Sequence, residues 1–300
     1  MLLALAFAGG ACAPAATIGR DTNGRDPLAD RVAVAPLTTA TEDVREVSFT
    51  SRALQRSMPY LVYLPPGYAT TVRRYPVLYM LHGMGGSDNE WRTYGLLDLA
   101  DKMIRAGELT PLIIVLPQGD RSYWVDHAAG DREAWGHYMA MDVVGDVDAR
   151  FRTLADAEDR AIGGDSMGAH GALQLALNYP GRFSVVGAHS LVLRRYGSAP
   201  AYFGSASDYA DRDPMQLVRA KSDVVRNVDL WIDIGDKDQW APLAEQFHQE
   251  LNALKIAHVW HEWSGDHSAR YWGAHLRDYL RFYGDGLAAH LRMRPARRLG

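Results

Sequence analysis

From Val44 onward the chain alternates short apolar runs with stretches of helical spacing. Val44 to Thr50 and Met58 to Leu64 read as two strands, closed by the turn signal Pro65-Pro66-Gly67. PVLYML (Pro76 to Leu81) and LIIVL (Leu112 to Leu116) are apolar without interruption, as strands covered on both faces would be. A helix is predicted over Leu96 to Ala106, then a long loop from Pro117 to Trp135. In Tyr138 to Phe151, Val143, Val144 and Val147 fall on one helical face. Further on, strands are predicted at Arg160 to Gly164, Phe183 to Ala188, Val228 to Gly235 and His258 to Trp263. Helices are predicted at Met167 to Asn178, Pro242 to Leu254 and Ala269 to Tyr283. This βα alternation implies an α/β fold: a mostly parallel central sheet with helices on both faces. Active sites in such sheets lie at the carboxyl ends of the strands.

The periodicity stops at both ends, which divides the chain. Residues 44–288 form the expected catalytic domain, and residues 18–43 a linker rich in Asp, Thr, Gly, Pro and Ala. Residues 289–300, with Arg292, Arg294, Arg297 and Arg298, read as a solvated basic tail. Residues 1–17 are apolar and small, like an export signal, and too short to span a bilayer. No Lys or Arg precedes Arg20, so the basic start of such a signal is missing. Cys12, the single cysteine, excludes an intrachain disulfide and stands where a bacterial lipoprotein would be lipidated and tethered to a membrane. An exported protein is the expectation, with a cytoplasmic one if this segment is not a signal. The net charge of -4, with both signs interspersed, offers no clustered basic face for nucleic acid.

The chemistry centres on Gly164-Asp165-Ser166-Met167-Gly168, a G-x-S-x-G pattern with a strand before it and an apolar helix after it. That is the context of a nucleophile elbow: the serine occupies a sharp turn, and the glycines let strand and helix approach closely. Ser166 is therefore the candidate nucleophile. A trypsin-like reading of Gly-Asp-Ser is excluded by the surrounding βαβ pattern. The general base should follow the last strand, where His267 stands in Ser264-Gly265-Asp266-His267. His170, His258, His261 and His275 lie within predicted elements and are expected to be structural. The acid should follow LWIDIG; Asp238 is preferred and Asp236 is the alternative. The glycine-rich turn His82-Gly83-Met84-Gly85-Gly86 stands where an oxyanion loop belongs. The backbone N–H groups of Met84 and Met167 are its expected donors. His261-Glu262 opens like a zinc motif, but Gly265 replaces the second histidine, so neither a metal site nor a cofactor is expected.

Taken together, YLPPGY, YPVLYMLHGMGGSDNEW, PLIIVLPQGD, RAIGGDSMGAHGAL, Gly235-Asp236-Lys237-Asp238 and GDHSARYW resemble one esterase family of the α/β-hydrolase fold. It includes esterase D (S-formylglutathione hydrolase), feruloyl esterases, enterochelin esterases and mycolyltransferases. The resemblance spans roughly residues 44 to 283 and lies nearest the feruloyl-esterase-like branch, through HGMGGSDNEW. It implies a Ser166, Asp238 and His267 triad, favours Asp238 over Asp236, and implies hydrolysis of small or aromatic esters through an acyl-enzyme. Acyl transfer to a second alcohol and thioester hydrolysis are the alternatives. A non-catalytic binding module is disfavoured by the complete triad. The family often carries Leu or Trp where Asp165 stands, and a further Gly where Ala169 stands; Asp165 is expected to point away from the reacting carbonyl. His82, Tyr123, Trp124 and Trp240 are the expected pocket residues. The stretch Ser190 to Asn227 occupies a lid position without a long apolar flap.

Overall fold

The computed structural model describes residues 43–293. The expectations placed on residues 1–42, with Cys12 and the export segment, and on residues 294–300 lie outside the described residues. Eight strands form one sheet: β1 (Asp43–Ser51), β2 (Arg56–Leu64), β3 (Val77–Leu81), β4 (Ile113–Pro117), β5 (Arg160–Asp165), β6 (Val185–His189), β7 (Asp229–Gly235) and β8 (Val259–Trp263). Their order is β1-β2-β4-β3-β5-β6-β7-β8. The β1–β2 and β2–β4 pairs are antiparallel, and every other pair is parallel. The helices are α1 (Glu90–Thr93), α2 (Leu96–Arg105), α3 (Trp135–His137), α4 (Val144–Arg150), α5 (Met167–Asn178), α6 (Ala206–Ala210), α7 (Pro214–Ala220), α8 (Ser222–Val225), α9 (Ala241–Ala253) and α10 (Ala269–Met293).

Alternate residues of each strand feed two cores, because successive side chains leave a strand on opposite faces. Tyr60, Val62, Tyr79, Val115 and Ile162 pack toward α4, α5 and α9. Leu61, Tyr63, Leu78, Met80 and Ile114 pack toward α2 and α10. Burial on both faces is the reason VLYML and IIVLP tolerate no polar residue.

Two boundaries differ from expectation. Tyr138 to Val143 form a π-helical turn between α3 and α4, so the helix predicted over Tyr138 to Phe151 is two pieces with α3 ahead of them. The last helix runs to Met293, ten residues beyond Tyr283, and takes in the start of the expected tail. Leu287 continues its buried stripe, and Gly286 lies against Val185. Gly284-Asp285-Gly286, poor in helix formers, hid this continuation.

The parallel register brings the strand ends level. Leu81 pairs with Gly164, Asp165 with His189, His189 with Asp233, and Gly235 with Trp263. The loops that leave these ends carry His82 to Gly86, Ser166, Asp238 and His267. Among the described residues no helix is long and apolar enough to cross a membrane.

Candidate active site

Ser166 stands between β5 and α5 with φ 55° and ψ -112°, a left-handed conformation that costs on the order of 1–3 kcal/mol for a residue with a side chain. The fold holds it there. Ser166 N–H donates to His189 O on β6 at 2.9 Å. The glycines on either side allow the close approach. A Cβ on Gly164 would come 2.6 Å from Leu81 O and 2.7 Å from the Gly168 carbonyl carbon, and one on Gly168 would collide with Leu81 O. The G-x-S-x-G spacing thus reflects backbone touching backbone where β3, β5 and α5 converge.

His267 Nε2 lies 2.8 Å from Ser166 Oγ, and His267 Nδ1 lies 2.7 Å from Asp238 Oδ2. The Asp238 carboxylate is buried, and its Oδ1 accepts the Trp240 N–H at 2.9 Å. An acid fixed in this way accepts Nδ1–H and turns the Nε2 lone pair toward the serine hydroxyl. Trp272 packs edge-on to the His267 ring at 5.2 Å and is anchored by its Nε1–H to Ser190 Oγ. Asp236 does something else. It is exposed, and its Oδ1 accepts the Gly265 N–H at 2.9 Å, which pins the loop that carries His267.

The turn after β3 closes with Gly86 N–H on Gly83 O at 3.1 Å, and Gly85 takes φ 84°. Met84 is therefore the first central residue of a β-turn. Met167 is the first residue of α5, and the leading N–H groups of a helix have no partner inside it. These are the two amides expected as oxyanion donors.

Three of the four expected pocket residues are buried in the structure. His82 is buried: its Nδ1 bonds Gly83 O at 2.8 Å and its Nε2 accepts the Gly119 N–H at 2.9 Å. Burial lowers its pKa, in keeping with a neutral ring that donates at one nitrogen and accepts at the other. It braces the turn rather than lining a pocket. Tyr123 and Trp124 are 1% and 0% exposed, with φ of 54° and 59°. That backbone turns both rings inward: Trp124 fits against Gly171 of α5, and Tyr123 packs on His170 at 5.1 Å. Trp240 is half-buried and stays at the site, with the Arg194 guanidinium 4.4 Å over its ring.

His170, His258, His261 and His275, expected to be structural, make contacts inside the fold. His170 is buried between the Val192 and Arg212 carbonyls. His258 meets His248, and His261 and His275 stack on Trp263. Sequence reasoning overlooked a second, fully buried His–Asp pair. His189 Nδ1 bonds Asp233 Oδ1 at 2.7 Å, and its Nε2 accepts from Tyr283 OH at 2.8 Å. Asp233 also accepts Trp231 Nε1–H and the hydroxyls of Tyr271 and Tyr279. No serine faces this pair, so it fixes β6, β7 and α10 to one another. It was legible only as a polar residue in each of two apolar strands. Among the described residues no three His, Cys, Asp or Glu side chains gather as a metal site.

Residues 51–283 match the sequence model of the Esterase family, described as "Putative esterase". Esterase Rv1288 of Mycobacterium tuberculosis is 31% identical over 269 residues, 78% of this chain and 56% of that protein. The chain thus spans little more than half the length of that relative. An endo-1,4-beta-xylanase/feruloyl esterase of Xylanibacter ruminicola is 30% identical over 152 residues, covering 48% of this chain and 21% of that protein. Among solved structures, a ferulic acid esterase superposes with a TM-score of 0.74 at 24% identity, covering 82% of this chain and 98% of the other. An S-formylglutathione hydrolase from Agrobacterium tumefaciens gives 0.71 at 20%, covering 83% and 97%. These two likenesses establish the α/β-hydrolase fold.

Proposed function

Since this chain belongs to the esterase family, we propose that it is a serine carboxylic-ester hydrolase, working through an acyl-enzyme on small or aromatic, feruloyl-like esters. The observation that carries the reading is the unbroken chain from Ser166 Oγ through the His267 ring to Asp238, set on a strained elbow. In the first step His267 Nε2 takes the hydroxyl proton as Ser166 Oγ adds to the ester carbonyl. The negative oxygen that forms faces the Met84 and Met167 N–H groups; one such donor is worth about 3 kcal/mol in the transition state. The C–O bond to the alcohol breaks, and the imidazolium returns its proton to the leaving oxygen. Water then adds to the acyl-enzyme, His267 takes its proton, and Ser166 leaves with that proton as the acid departs.

Support for small or aromatic esters comes from Trp240 beside the acid and from the build of the segment between β6 and β7. That segment is broken into α6, α7 and α8 instead of forming one long apolar flap. The test is hydrolysis of p-nitrophenyl acetate, butyrate and decanoate and of methyl ferulate by the wild type and Ser166→Ala. The short and aromatic esters should turn over fastest, and the variant should lose on the order of 10⁴-fold or more in kcat. A variant as active as the wild type would refute the serine mechanism. With a sugar acceptor present, free acid as the product separates hydrolysis from transfer.

A further inference from the structure

Asp165, the last residue of β5, is 1% exposed. Neither of its carboxyl oxygens has a hydrogen-bond partner of normal geometry among the described residues, and the backbone N–H that acts on the carboxyl is Asp165's own. What faces it is a second carboxyl group, that of Glu90 on α1. A Cβ built on Gly83 would stand 3.3 Å from Asp165 Oδ2, 3.5 Å from Ser166 Cβ and 3.6 Å from Glu90 Oε1, so three side chains meet around one glycine. Glu90 is half-buried, and its Oε1 accepts the Gly83 N–H at 2.7 Å. Gly83 is the residue before Met84, the expected oxyanion donor.

No lysine or arginine of the described residues acts on Asp165. The other titratable neighbours give it no counterion. Tyr94, the residue after α1, is a phenol whose pKa is pushed upward by burial first and then by the two carboxyl groups. His82, on the turn after β3, has both ring nitrogens engaged elsewhere. His189, the cross-strand partner on β6, is committed to Asp233 and Tyr283. His267 is committed to Asp238 and Ser166. With Asp165 buried against the Glu90 carboxyl, ionising both is unfavourable, so the pair holds one proton. Glu90 already accepts an N–H and reaches solvent, which suits the charged partner. Asp165 has no access to solvent and only its own N–H nearby, which suits the acid. Burial, then the Glu90 charge, holds the Asp165 carboxyl well above the usual carboxylate range.

We propose that Asp165 is protonated at neutral pH and donates to Glu90, and that this acid–carboxylate pair is a positioning device that sets the oxyanion turn against the nucleophile. The link runs from the Ser166 backbone through the Asp165 hydroxyl to Glu90, and from Glu90 Oε1 to the amide that precedes Met84. Without a donor at position 165, the Glu90 charge faces a dry wall, swings toward water and releases Gly83.

The experiment compares full-length wild type, Asp165→Asn and Asp165→Leu. Asn keeps an N–H donor toward Glu90 and cannot ionise; Leu keeps neither property. Three readouts do not depend on activity: the infrared carbonyl band of a protonated carboxyl, unfolding by urea from pH 5 to 9, and hydrogen exchange of the peptide containing Gly83 and Met84. A carboxyl whose folded pKa is raised costs stability once the pH exceeds its unfolded value near 4, and the cost grows until the folded value is passed. The wild type should therefore show an acid band at pH 7 that Asp165→Asn lacks. It should also lose stability relative to Asp165→Asn as the pH rises. Asp165→Leu should exchange the turn amides faster, with Asp165→Asn close to the wild type. The kinetic arm rests on the esterase reading above. Asp165→Leu should lose at least about tenfold in kcat, part of what a missing oxyanion donor costs, with KM within about twofold. Asp165→Asn should recover most of the loss. An absent band, or a stability difference that ignores pH, overturns the proton. Equal exchange in the three proteins, or Asp165→Asn as slow as Asp165→Leu, overturns the positioning. A wild type without esterase activity sinks the esterase reading alone, and the band, the pH slope and the exchange still decide this one.

Discussion

Asp236 and Asp238 share one loop, two residues apart, and the turn between them separates their work. Asp238 N–H closes on Gly235 O at 3.0 Å, which folds the Asp238 carboxylate inward to His267 Nδ1. Asp236 stays outside and holds Gly265 N–H. Asp238→Asn should lower kcat on the order of 10⁴-fold, because an amide facing Nδ1 favours the tautomer that points the wrong nitrogen at Ser166. Asp236→Asn keeps an oxygen for Gly265 and should stay within about tenfold of the wild type. Steady-state kinetics on p-nitrophenyl acetate decide this, and equal losses would contradict the assignment. From the sequence Asp238 was preferred with Asp236 as the alternative, since spacing alone does not tell which way a turn points a side chain. The positions of Ser166 and His267 at neighbouring strand ends were legible, because a G-x-S-x-G after a strand and a histidine after the last strand each need a specific backbone context. Glu90 was hidden: an acidic residue four positions beyond a glycine turn reads as an ordinary helix start.

At the level of elements, the elbow is where β3, β5 and α5 touch backbone to backbone. Gly164→Ala would put a methyl 2.6 Å from Leu81 O with Gly168 behind it, and neither neighbour is a side chain that can swing aside. The cost should be about 3 kcal/mol or more, at the upper end for an overpacked core, read as a drop in the urea midpoint. A loss under about 1 kcal/mol would contradict the packing described. β3 and β4 were legible because burial on both faces leaves unbroken apolar runs, and α5 matched its predicted span at both ends. The loop after β4 was not. Its aromatic residues suggested a pocket wall, whereas positive φ at Tyr123 and Trp124 turns the rings into the core. A residue-by-residue pattern does not carry that conformational choice. The π-helical turn at Tyr138 to Val143 escaped for a similar reason, since it keeps the apolar face while shifting the backbone register.

On the scale of the whole described domain, one parallel sheet explains why residues 101 positions apart, Ser166 and His267, meet at 2.8 Å. Every catalytic candidate leaves a strand at the same edge, and the strands are held level by contacts outside the site. The network on Asp233 joins β6 and β7 to α10 through His189, Tyr271, Tyr279 and Tyr283. It explains why the final helix is rich in tyrosine, and it separates a structural His–Asp pair from the one that faces a serine. The account stands or falls on Ser166 forming a covalent acyl intermediate. The most direct measurement is the intact mass of wild type and Ser166→Ala after brief exposure to p-nitrophenyl butyrate, with peptide mapping of any adduct. The account predicts one butyryl group, on the peptide that carries Ser166, absent from the variant. An adduct on another residue, or ester turnover that persists in the variant, would contradict it.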